Sequence, residues 1–153
     1  GLSDSHWFIE EFIDGREFNM SVFSGPDGPE VLPVAEIVFK DWDDSKPRII
    51  DYNAKWVDGS FEFDNTVRDF PGDKLDKGVT DKLRQVATDC WKLFNLRGYA
   101  RVDARVDADN NVFVIEINAN PCIQPNGGFI AATRAGGYQF SEVMQRIIND
   151  LNV

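Results

Sequence analysis

The sequence has 153 residues, 42% of them hydrophobic and 12 of them Phe, enough to bury one respectable core, so a single domain over 1–153 is expected and disorder is not. A formal charge of -10, from 16 basic and 26 acidic residues, disfavours nucleic acid or an anionic membrane surface as the main partner, since both need a positive field. No apolar run is long enough for a membrane span, GLSDSHWF lacks a signal-peptide pattern, and two cysteines make neither a disulfide framework nor a four-ligand zinc site, so a soluble cytoplasmic protein is expected.

Taken in order, His6 to Ile13 is rich in aromatic and β-branched residues and predicts a strand; His6, the only histidine, has no neighbour to work with and reads as a surface residue. Asp14-Gly15 predicts a turn and Glu17 to Phe23 a second strand, together a hairpin. Ser24 to Glu30 predicts a Pro/Gly loop, and Val31 to Phe39 a third strand whose Pro33 marks an edge or a strand start. Asp41 to Pro47 reads as an exposed acidic loop. Arg48 to Trp56 begins as a short strand, and Val57 to Lys77, with no period, predicts a long loop of the kind that serves as a lid, binds a ligand or stays disordered. From Thr80 the period becomes helical: Leu83, Val86, Ala87, Cys90, Trp91 and Phe94 form one stripe, with Thr80 as N-cap and Gly98 as terminator. Cys90 within that stripe reads as a small buried hydrophobe. A hairpin over Tyr99 to Cys122 follows, then a loop to Gly128, a small-residue helix across Phe129 to Ala135, and a last helix from about Ser141 with Val143, Ile147, Ile148 and Leu151 as its stripe. Strands first, then helix, hairpin and helices predict an α+β fold, an antiparallel sheet with helices packed on one face.

The hairpin over Tyr99 to Cys122 carries the chemistry. Turned at Asp109-Asn110, a pair whose short polar side chains tolerate positive φ, it sets Asp103 opposite Glu116 and Arg101 opposite Asn118. Alternation puts those four on one face, while Val102, Ala104 and Val106 on the other meet Ile117, Ile115 and Phe113. Either carboxylate alone reads as a solvated residue, but like charges directly across a ladder are destabilising unless a cation neutralises them. Two carboxylates and an amide oxygen, with no His or Cys, suit Mg²⁺ or Mn²⁺. Arg101 beside them offers a fork for phosphate or carboxylate oxygens. A calcium loop beginning at Asp107 fails on detail, with Val112 where Gly is required and Asn118 where Glu is.

Arg101-Val102-Asp103 followed by Glu116-Ile117-Asn118-Ala119-Asn120-Pro121 resembles the magnesium-binding end of the ATP-grasp fold, and most closely the C-terminal domain of D-alanine–D-alanine ligases. The stretch from Glu10 through Asp14-Gly15 to Phe18 resembles that family's adenine hinge, Asn53-Ala54-Lys55-Trp56 its "EAKY" segment, and the helix from Thr80 one at the same place; segments of this kind run from about Phe8 to Ile148 in family order. The resemblance implies Glu10, Glu11 and Ile13 at the adenine and Glu17 at the ribose hydroxyls. It implies Asp103, Glu116 and Asn118 as ligands of two magnesium ions against the ATP phosphates, with Glu116 bridging. Arg101 would steady the transferring phosphoryl group and the acyl phosphate, and Lys55 would reach substrate or phosphate. The implied reaction is ligation of a small-molecule carboxylate and an amine, with positioning and charge stabilisation supplying the catalysis.

Two departures qualify that implication. Cys122 stands where the ligases have glycine; exposed near the magnesium face but with no histidine to activate it, it reads as a packing residue and not a nucleophile. Asn126-Gly127-Gly128-Phe129 stands where they have the serine-leucine pair holding the second D-alanine's carboxylate, so D-alanyl-D-alanine is not implied as product, and Gly127-Gly128 can instead offer backbone N–H groups to an anion. The domain for the carboxylate substrate and the half-domain with the phosphate lysine and glycine flap have no counterpart here, so the chain is expected to be the C-terminal part of a longer enzyme, partnered by its N-terminal part and inactive alone. The alternative is a non-catalytic nucleotide- or metal-binding module with a regulatory or partner-binding role.

Overall fold

Strand β1 (Arg16–Gly25) sets the plan of the molecule, because Phe18, Met20 and Val22 alternate along it with Glu17, Asn19 and Ser21. A period of two sends the first three to an apolar face and the second three to a polar one. The computed structural model describes residues 9–151. After β1 come β2 (Gly28–Val31), β3 (Ala35–Phe39), α1 (Tyr52–Trp56), α2 (Phe61–Asn65), β4 (Thr66–Asp69), a 3-10 turn at Gly72–Lys74, α3 (Lys77–Leu93), β5 (Tyr99–Val106), β6 (Val112–Asn118), α4 (Gly128–Ala135) and α5 (Phe140–Leu151). The six strands form one sheet in the order β4-β3-β1-β5-β6, with β2 also on β1, and every pairing is antiparallel. The structure is the expected α+β fold with an antiparallel sheet, but its helices lie on both faces, α3 on one and α4 with α5 at one end of the other.

Helix α3 covers the apolar face: Val79, Leu83, Ala87, Cys90 and Trp91 pack on Phe18, Met20, Val22, Val102, Ala104 and Val106. Burying a side chain such as Leu83 stabilises by roughly 1.5–3 kcal/mol. Helices α4 and α5 close a second cluster, in which Phe129, Ile130 and Val143 surround Phe23 and Leu32. Phe23 is one residue out of phase with Val22, so this cluster caps one end of the polar face and leaves the rest of that face open.

Several local expectations are corrected. Residues 1–8, including His6, lie outside the described residues, and 9–14 form no strand, so the first expected hairpin does not form; β1 pairs with β5, β3 and β2 instead. The reason is local: the carbonyls of Ile13 and Gly15 accept from the Arg105 guanidinium. The expected Ser24–Glu30 loop is a tight β1–β2 hairpin with Gly25 opposite Gly28. Pro33, which has no N–H to donate, interrupts the expected third strand and divides it into β2 and β3. Arg48 to Trp56 holds no strand; Asp51 caps α1 by accepting from the Ala54 N–H at 2.9 Å. The expected long loop Val57–Lys77 holds α2, capped by Ser60, and β4, which pairs with β3 from Glu36–Asp69 to Phe39–Thr66. Helix α3 starts at Lys77 with Asp76 as N-cap, while the Thr80 hydroxyl donates back to the Asp76 carbonyl. It ends at Leu93, where Asn95 takes a positive φ of 48° and the N–H groups of Leu96 and Asn95 return to the carbonyls of Trp91 and Lys92. Phe94 and Ile148, expected on apolar stripes, are half-exposed. Gly98 belongs to the turn into β5.

Candidate functional site

The polar face of the sheet is built by register. Across β1 and β5, Glu17 stands opposite Arg105, Asn19 opposite Asp103 and Ser21 opposite Arg101. Across β5 and β6, Arg101 faces Asn118 and Asp103 faces Glu116, as expected from the sequence. The expected register holds only that far. A β-bulge at Asp103/Ala104 leaves Ile115 without a partner, so Ala104 faces Val114 and Val106 faces Val112, correcting the expected pairs with Ile115 and Phe113. The hairpin turns through Asp107–Asn111, where Asn110 has φ 61° and the Asp107 carboxylate accepts from the N–H groups of Asp109 and Asn111.

Three of the charged residues on this face are buried to a degree that a solvated sheet surface does not show, Glu17 at 7% exposed, Asp103 at 7% and Arg105 at 5%, while Glu116 on β6 is exposed. Arg101 grips Asp103 in a fork, Nε to Oδ1 and Nη2 to Oδ2, both at 2.7 Å. Arg105 is a hub, donating to the carbonyls of Ile13 (2.6 Å), Arg48 (2.8 Å) and Gly15 (3.0 Å) and to the Glu17 carboxylate (3.1 Å), with the Phe12 ring beneath its guanidinium. Burial pushes the Glu17 carboxyl up to about 6 although Arg105 pulls the other way. Gly15 makes this closure possible: φ is +150°, and a Cβ there would stand 2.1 Å from the Val106 carbonyl oxygen.

The expected site residues divide into three groups. Arg101, Asp103, Glu116, Asn118 and Glu17 come together on the one face. Lys55, in the last turn of α1, is exposed, and its charge acts on Glu17. Glu10 and Glu11 are exposed on the irregular segment before β1, while Ile13 is joined to the face through its carbonyl. Two further residues had not been singled out: Arg105, which continues the Arg101, Asp103 alternation and could have been found from it, and Arg68, which lay in the presumed loop. Cys122 is exposed and not packed; it is its carbonyl that shapes the following loop, lying 2.6 Å from where a Gly127 Cβ would stand. The absence of a serine side chain at the start of α4 therefore matches the space available.

No group of three or more His, Cys, Asp or Glu side chains is gathered for a metal among the described residues. Next to Arg101 the face offers instead the Asp103 and Glu116 carboxylates and the Asn118 amide oxygen. That set fits Mg²⁺, which keeps waters and substrate phosphate oxygens among its ligands. The Asn118 oxygen already accepts from the Asn120 N–H at 2.9 Å, which fixes its direction, and the Asn120 side chain accepts from the Tyr99 hydroxyl.

The family model described as D-ala D-ala ligase C-terminus matches residues 2–149. The chain belongs to that family. It is 34% identical over 146 residues to the D-alanine–D-alanine ligase of Carboxydothermus hydrogenoformans, covering 95% of this chain and 43% of that protein. It is 31% identical over 146 residues to the ligase of Synechococcus sp., covering 95% and 41%. Among solved structures, the D-alanine–D-alanine ligase from Bacillus anthracis superposes with a TM-score of 0.69 at 26% identity, covering 92% of this chain and 41% of that one. The chain thus spans about two-fifths of the length of these relatives, and its α+β sheet has the fold of the C-terminal domain of this ligase family. Among the described residues, no helix is long and apolar enough to cross a membrane.

Proposed function

We propose that this chain forms the nucleotide- and magnesium-binding end of an ATP-dependent ligase that joins a small-molecule carboxylate to an amine through an acyl phosphate. The observation that carries this reading is the pairing of Asp103 with Glu116 across β5 and β6, with Arg101 and Asn118 beside them on one open face. Asp103, Glu116 and Asn118 hold magnesium or manganese, which supplies positive charge against the ATP phosphates. Arg101, which grips Asp103 through Nε and Nη2, would steady the transferring phosphoryl group. Glu17 accepts from a ribose hydroxyl, Glu10, Glu11 and Ile13 line the adenine, and Lys55 reaches substrate or phosphate.

In the reaction, the substrate carboxylate attacks the γ-phosphorus and ADP leaves; the amine then attacks the acyl carbon, phosphate leaves, and the nitrogen loses a proton. Little protein covalent chemistry is needed, so fixed charges and positioning do the work. The N-terminal part carried by the longer relatives is the partner that completes the site, and a cytoplasmic setting goes with the supply of ATP. In the full-length protein, ADP release that requires both a carboxylate and an amine is expected to fall at least a hundredfold on Glu116→Gln. Unchanged ADP release in that variant refutes the assignment of Glu116.

A further inference from the structure

Arg68, on β4, is separated by two strands, β3 and β1, from the Arg101–Asp103 fork on β5, yet its guanidinium reaches the same corner of the polar face. Its Nη2 lies 3.2 Å, and Arg101 Nη1 3.4 Å, from the place where a Cβ on Gly128 would stand. The fork to Asp103 occupies Arg101 Nε and Nη2, so it is the remaining nitrogen that faces this corner. Arg68 makes no hydrogen bond or ion pair among the described residues, and its Nε is buried without an acceptor. Burial and then Arg101 both push its guanidinium below its ordinary range, with Asp103 opposing. Two like charges brought together, one lacking any partner, are an arrangement that folding alone disfavours. An anion between them supplies the missing acceptor and removes the repulsion. The backbone adds to this: Gly128 is the first residue of α4, its missing side chain leaves the corner open, and no side chain caps the helix.

We propose that Arg68 and Arg101 together form an oxyanion site in front of Gly128, which takes a carboxylate or phosphoryl group of the reacting molecules. Its place in the reaction rests on the ligase reading above, but the binding itself needs neither nucleotide nor metal. Arg68 contributes a planar pair of donors to the oxyanion, and the acidic groups facing the corner, Asp103 and Glu116, are answered by Arg101.

The test uses the 153-residue chain in buffer containing a chelator, without magnesium or ATP, at constant ionic strength. Inorganic phosphate and acetate are titrated separately against a chloride control, reading the Gly128 amide and the Arg68 Nε–H by NMR. Saturable shifts at both groups are expected, stronger with phosphate if the corner takes a phosphoryl group and stronger with acetate if it takes a carboxylate. Arg68→Gln is expected to weaken the binding at least about tenfold, and Arg68→Lys to restore part of it. The same affinity in Arg68→Gln overturns the proposal. So does the absence of any saturable Arg68 Nε–H shift in the unaltered chain, a reading that does not depend on how the variants fold.

Discussion

Glu17 and Arg105 decide how the polar face holds together. The carboxylate is buried and only one of the Arg105 donors answers it, because the other guanidinium bonds go to the carbonyls of Ile13, Gly15 and Arg48. Burial therefore wins, and the Glu17 carboxyl rises from an ordinary 4.5 to about 6. A raised acid is one the folded state prefers protonated. Its stabilising contribution is full below about pH 4.5 and is lost as pH rises through about 6, a loss of about 2 kcal/mol. The carboxyl carbon resonance of Glu17 is expected to titrate near pH 6. The stability difference between the native chain and Glu17→Gln should shift in the native chain's disfavour across the same interval. Arg105 was within reach of the sequence, since it shares a strand face with Arg101 and Asp103. Its hub role was not, because three of its four acceptors are backbone carbonyls, which no side-chain pattern announces.

At the scale of elements, long periodic segments were legible and short ones were not. The α3 stripe of Leu83, Ala87, Cys90 and Trp91 lies on the core as its spacing predicts, but the boundaries moved to Asp76 and Asn95, where the caps form. Helices α1 and α2 and strand β4 are too short to show a period, and their order comes from caps and from pairing with β3. The hairpin register was legible at the chemical end, where Asp103 meets Glu116. It failed beyond the bulge, because one extra residue in β6 leaves no mark on an alternating pattern. The loop before α4 carries its own prediction. A side chain at Gly127 meets the Cys122 carbonyl at 2.6 Å and the Gln124 carbonyl at 3.0 Å, both backbone, so Gly127→Ser is expected to destabilise by about 1–3 kcal/mol in urea denaturation. An unchanged midpoint would mean that this loop is not held against α4.

For the whole molecule, charge and surface agree with the proposed division of labour. A net charge of -10 is a poor setting for a polyphosphate. The open corner of the polar face is nevertheless lined by Arg68 and Arg101, and the paired carboxylates beside it invite a divalent ion to turn their charge into an asset. The chain spans about two-fifths of the length of its relatives, and these 153 residues are proposed to bind Mg-ATP weakly and to turn over nothing alone. The most direct test is a calorimetric titration of ATP into the chain with and without magnesium, repeated with Asp103→Asn plus Glu116→Gln. The account predicts weak binding that requires magnesium and disappears in the double variant. Binding that is indifferent to magnesium, or that survives both substitutions, contradicts it.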